Sequence, residues 1–150
     1  MRTVGIMLTV LAIAGPVQAQ PLQELPTTPE GNYAMGQRFA NCSARFAHMA
    51  YIARRAELLD TVSLAEGKAR GWKVAGMMFL AEGMDPSRIG ETEQTFDTLV
   101  EVKLMDLKAR AEMDPEAYRE AIPAEFAKEC EPLVSTQEKL IELMRRGASH

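Results

Sequence analysis

The chain has 150 residues, 47% of them hydrophobic and 25% charged, with a formal net charge of −4. That length suits one domain with a sizeable core, and the acidity argues against a nucleic-acid partner. Its two cysteines, Cys42 and Cys130, stand too far apart for a Cys-x-x-Cys redox pair or a c-type haem attachment site.

Residues 1 to 19 have the form of an export signal: Arg2, an apolar run from Val4 to Ala14, the breakers Gly15 and Pro16, then Val17-Gln18-Ala19 as a small-residue cleavage site. The apolar run of 11 residues falls short of the about 20 that span a bilayer as a helix. No cysteine follows the cleavage site to take a lipid. These features predict a periplasmic or secreted protein that begins at Gln20 and has no membrane span in its mature form. Cleavage would remove Arg2 and no acid, taking the net charge from −4 to −5.

Residues 20 to 32 hold Pro21, Pro26, Pro29 and Gly31 among polar residues, which predicts a flexible lead-in to a helical domain spanning 33 to 147. The first helix is expected from about Asn32 to Leu59. Its apolar residues Met35, Phe39, Cys42, Phe46, Met49, Ala53 and Ala56 are spaced 4, 3, 4, 3, 4, 3, an unbroken heptad seam for packing. Gly36 reads as a small weakness, and Arg54 and Arg55 suit the negative end of the helix dipole. Ser63-Leu64-Ala65-Glu66 has the form of a capping box and predicts that the second helix starts there, with Gly83 as its stop. Gly67, Gly71 and Gly76 inside that helix each cost roughly 1 kcal/mol relative to alanine. Close approach of a neighbouring helix would offset that cost.

Residues 84 to 90 read as a connection with a helical turn after Asp85-Pro86. The third helix, Glu91 to Met113, places Phe96, Leu99, Val100, Leu104, Leu107 and Ala111 on one side. Asp114-Pro115 caps a short fourth helix to Ala121, and Pro123 is expected to start the last one, running to Arg146 with a kink at Pro132. In that last helix Phe126, Cys130, Leu133, Gln137, Leu140 and Met144 repeat the spacing of the first seam. No strand-like alternation occurs. The expected fold is an all-α single-domain bundle of four to five helices, its first and last helices joined by a Cys42–Cys130 disulfide, as an even cysteine pair in an oxidising compartment suggests.

The chemistry-bearing residues are few. His48 with Met49 is the one pairing that resembles a haem or metal ligand set, with Met77 and Met78 as further thioethers, but a zinc site needs three or four His, Cys or acidic ligands and a di-iron bundle needs Glu-x-x-His pairs, which the chain lacks. Lys68, Arg70 and Lys73 around Trp72 form the most basic stretch, a possible anion or partner surface that lacks the glycine order of a phosphate loop. Glu125, Glu129 and Glu131 gather near Cys130, where paired carboxylates suit acid–base work but an acidic helix face is the simpler reading. Asn41-Cys42-Ser43 fits the N-glycosylation pattern only across a core cysteine. No Gly-x-Ser-x-Gly elbow nominates a nucleophile. The sequence therefore predicts an exported, non-catalytic protein without a cofactor, acting by contact with another protein as an adaptor, chaperone-like factor or inhibitor. The alternative is a bundle that binds a ligand or cofactor near His48 and Met49.

Overall fold

The first helix opens on a built cap: the Thr28 hydroxyl accepts a hydrogen bond from the Gly31 amide at 3.1 Å, and Pro29 takes the first helical position, where an N–H would have no partner. The computed structural model describes residues 24–148. The predicted export signal, its expected cleavage site and the expected mature start at Gln20 lie outside the described residues. Five α-helices follow one another: α1 (Pro29–Arg55), α2 (Leu59–Gly83), α3 (Thr92–Met113), α4 (Pro115–Glu129) and α5 (Glu131–Gly147), with one 3-10 turn, Pro86–Glu91, before α3. Residues 29 to 32, within the stretch read as lead-in, form the first turn of α1.

The helix pair α1 and α2 is the frame of the bundle. The two run antiparallel in tight register, with Tyr33 against Gly83, Gly36 against Leu80, Phe39 against Gly76 and the Ser43 hydroxyl donating to the Ala69 carbonyl at 3.0 Å. A Cβ on Gly76 would come within 2.8 Å of the Phe39 Cβ, and one on Gly83 would strike the backbone of Tyr33. These glycines sit where the helices touch, so the close approach expected across the small face of α2 is present. Gly67 is different, since a Cβ there meets only the end of Arg70 at 3.9 Å. Gly36 is no weakness, because the Leu80 side chain occupies the space its own would need.

α2 begins four residues before the predicted capping box, at Leu59, and Ser63 lies inside the helix. The connection explains the difference. The amide of Leu58 donates to Ala53 and that of Glu57 to Arg54, at 2.9 and 3.2 Å, which is a Schellman ending for α1. Glu57 holds the left-handed position of that motif, φ 59°, where glycine is the usual residue. With no glycine in the sequence to mark it, the first helix read as continuing to Leu59.

Phe39 stands at the centre of the core, fully buried, with the Trp72 and Phe79 rings 5.2 and 5.3 Å away. Burying a phenylalanine of this kind contributes roughly 2 to 3 kcal/mol. Leu80, Phe96, Leu133 and the disulfide complete that cluster, and a second, smaller one joins Ala44, Leu107 and Tyr118. α3 packs along α1, and α4 returns beside it, so that Tyr118, Phe126 and Cys130 meet His48, Phe46 and Cys42 in antiparallel order.

Cys42 and Cys130 are disulfide-bonded, with their Cα atoms 5.7 Å apart and a sequence separation of 88. The bridge fastens α1 to the residue that caps α5. Closing a loop of this size contributes roughly 4 to 5 kcal/mol by chain-entropy reasoning. The helix break falls at this cysteine and not at Pro123. α4 runs unbroken through Pro123, which is exposed, because Tyr118, Ile122 and Phe126 on either side of it all pack inward at helical spacing. Pro132 does not kink a continuous helix. It lies in the first turn of α5, where its missing N–H is harmless.

Candidate functional site

The seam of α1 does not stay closed. Met35, Phe39 and Cys42 are buried as expected, but Met49 is 46% exposed, and the neighbouring Ile52 45%. The departure has a local cause: α4 leans against the C-terminal half of α1 through Tyr118, Ile122 and Phe126 without covering it. The result is an open groove of about 230 Å³ between the two helices, walled by Phe46, Met49, Ile52, Ala53, Ile122 and Phe126 and closed at one end by Leu58 and Thr61. The Schellman ending places Leu58 and Ala53 on the same wall, as that motif does with its paired apolar positions.

Two polar clusters hold the groove in shape. Arg45 is buried, and its Nη2 donates to Glu125 at 2.9 Å and to Glu129 at 2.7 Å, while Arg110 Nη1 donates to Glu125 at 3.1 Å. The hydrogen bonds from Arg110, then those from Arg45, pull the Glu125 carboxyl down to about 2. Glu125 is thus an ionised strut fixing α4 to α1 and α3, and Glu129 adds a second tie to Arg45, while Glu131 is exposed and outside the network. That arrangement suits structure, and Glu125 offers no protonated acid near neutral pH.

At the groove floor, His48 Nδ1 and the Tyr118 hydroxyl are 2.7 Å apart, both side chains buried. Burial, assisted by the positive charge of Lys108, lowers the pKa of His48, and burial raises that of Tyr118. Both groups are therefore neutral, and they satisfy one another where an unpaired polar atom would cost about 1 to 3 kcal/mol. His48 and Met49 both line the groove, but one ring nitrogen is committed to Tyr118. Among the described residues no three His, Cys, Asp or Glu side chains converge to hold a metal ion. Met77 packs on the main core and Met78 is exposed on α2, both away from the groove.

A second recess lies across His48, Ile52 and Ala56 from the first and is lined also by Tyr51, Arg55, Lys108 and Glu112. Lys108 Nζ sits 4.3 Å from the centroid of the Tyr51 ring, and Arg55 Nη1 donates to the Tyr51 hydroxyl at 3.2 Å.

The basic stretch on α2 does not form one surface. Lys68 and Arg70 are exposed, Trp72 is in the core, and Lys73 Nζ is held by Glu93 and Asp97 of α3, each at 2.8 Å. Arg45, Tyr118, Ile122, Phe126, Arg55 and Lys108 were missed by sequence reasoning as site residues. The 4, 4 spacing of Tyr118, Ile122 and Phe126 was an available signal, hidden by splitting the helix at Pro123. No protein-family model matches this chain, and comparison with curated proteins and with solved structures gives no match.

Proposed function

We propose that this chain is an exported, non-catalytic binding protein whose working surface is the groove between α1 and α4. One observation carries the reading: a groove of about 230 Å³ with an almost wholly apolar wall stays open in a protein that buries the rest of the same helix seam. An apolar cavity of about 150 Å³ is enough to bind benzene. Concave apolar sites with a few polar groups at the edge are the usual form of small-molecule sites. A fluorescent apolar probe titrated into the purified protein tests it. Saturable binding that disappears in Ile52→Gln, with unchanged helical circular dichroism, is the expected result; probe binding unaffected by that change removes the groove from consideration. Export is supported by the charged, apolar and small-residue order of residues 1 to 19. N-terminal sequencing of cell-envelope or culture-fluid protein should begin at Gln20.

A second reading, contact with another protein, is favoured by a different surface. Val102, Met105 and Met113 on α3 are 65, 64 and 84% exposed, and with Ala109 they form a stripe along one side of the helix. Met105→Lys should abolish a complex made there without lowering stability; a complex that survives the change, measured by co-purification, counts against this surface.

A further inference from the structure

We infer that the site takes an anionic amphiphile, its alkyl chain in the apolar groove and its negatively charged head in the adjoining recess between Arg55 and Lys108. The inference rests on the groove reading above and adds the class of ligand. The two depressions are one feature in space, because His48, Ile52 and Ala56 line both. A molecule crossing that shared wall passes from an apolar channel to a cationic mouth within a few atoms.

The charges in the recess are the second observation. The chain is acidic overall, and among the described residues its buried and half-buried cations elsewhere are mostly neutralised: Arg45 by Glu125 and Glu129, Lys73 by Glu93 and Asp97, Lys103 by Asp106, Arg110 by Glu125. Lys108 is half-buried and makes no such ion pair; its ammonium faces the Tyr51 ring. Arg55 likewise donates to the Tyr51 hydroxyl and to no carboxylate. Glu112 lies at the exposed edge of the recess, leaving one net positive charge among the three. Tyr51 therefore holds two cations that both line the recess at the mouth of an apolar channel, and neither is ion-paired to an acid among the described residues.

His48 separates the two compartments without adding a charge. It is buried, paired to Tyr118 and kept neutral, so it neither attracts the head into the groove nor repels the chain. The groove volume sets the length of chain: at about 30 Å³ for each water-sized unit, 230 Å³ takes roughly eight carbons.

The test is calorimetric titration of the purified protein with n-octyl phosphate, n-butyl phosphate, 1-octanol and inorganic phosphate, all below their aggregation concentrations. Octyl phosphate should bind about tenfold more tightly than octanol. It should exceed butyl phosphate by roughly two-hundredfold, since each of the four further buried methylenes is worth roughly fourfold. The preference over octanol should vanish in the double variant Arg55→Gln, Lys108→Gln, and shrink with added salt. Arg55 is exposed at the end of α1 and Lys108 half-buried on the flank of α3, and circular dichroism of the variant confirms the fold. Octanol binding as tightly as octyl phosphate overturns the assignment of the recess while leaving the groove reading intact. Failure of both octyl compounds, with inorganic phosphate alone also silent, overturns both. Retention on phosphatidylglycerol vesicles without binding of monomeric octyl phosphate overturns the inference in favour of a membrane-surface role.

Discussion

The two halves of α1 make opposite use of one repeating pattern. From Met35 to Cys42 the seam is sealed by α2, by Phe96 and by the disulfide, and even the backbone is in contact at Gly36 and at Gly76 across from it. From Phe46 to Ala56 the same spacing faces α4 across the open groove and α3 across the second recess, and Met49 and Ile52 are left half in solvent. Heptad spacing alone thus specifies an apolar stripe. Whether the stripe becomes core or binding wall depends on how many helices reach it and how closely their side chains allow them to approach. The first half has glycines opposite it; the second has Tyr118, Ile122 and Phe126, which hold α4 off.

This contrast can be broken in order of effect. Replacing both cysteines by serine removes the staple of the sealed half and should lower stability by roughly 4 kcal/mol, read from urea unfolding. A loss below about 1 kcal/mol would mean that packing alone closes that half. Phe39→Ala, at the sealed centre, should cost about 3 to 4 kcal/mol, with the unfolding midpoint as readout. Glu125→Gln removes a strut of the open half and should cost about 2 kcal/mol at neutral pH, since it leaves Arg45 with one partner. The wild-type pH profile carries the same signature. The folded pKa of Glu125, about 2, lies below its ordinary value near 4.5. Its contribution is therefore complete above pH 4.5 and lost as the pH falls toward 2, and Glu125→Gln should flatten that limb. His48 acts in the same direction from below its ordinary pKa of 6.5, because the unfolded chain takes up the proton that the buried ring resists. Glu57→Gly should raise stability by about 1 kcal/mol by relieving the left-handed backbone at the Schellman turn. Smallest of all, Met49→Ala should change stability by no more than about 0.5 kcal/mol, the mark of a seam residue that the fold does not use. A loss of 2 kcal/mol or more there would show that the groove is core after all.

The sealed half was legible in the sequence and the open half was not. Heptad spacing on α1, the spread of apolar residues on α3, the Asp114-Pro115 cap and the cysteines on matching seams were enough for an all-α bundle with a Cys42–Cys130 bridge, because each rests on local chemistry or on a covalent bond with one possible partner. The start of α2 was misread because Glu57 does the work of a glycine, and the course of α4 because Pro123 was read by its intrinsic effect while the tertiary contacts flanking it override that effect. The site went unread for a related reason. Arg45 and Lys108 differ from other cations only in what lies across from them, and Glu125 belongs to Arg45 and Arg110 through contacts spanning 80 and 15 positions.

The distance in sequence between the two sulfurs also orders the assembly in time. α1 and α2 are joined by only three residues, so their hairpin forms from neighbouring contacts and at the speed of local structure. Cys130 reaches Cys42 once the two further helices that precede it, α3 and α4, have been laid against that hairpin, since a loop with a sequence separation of 88 must close before the thiols meet. Oxidation thus follows the docking of α4, before α5 need have settled, and an oxidised chain is one whose groove has already been walled by α4.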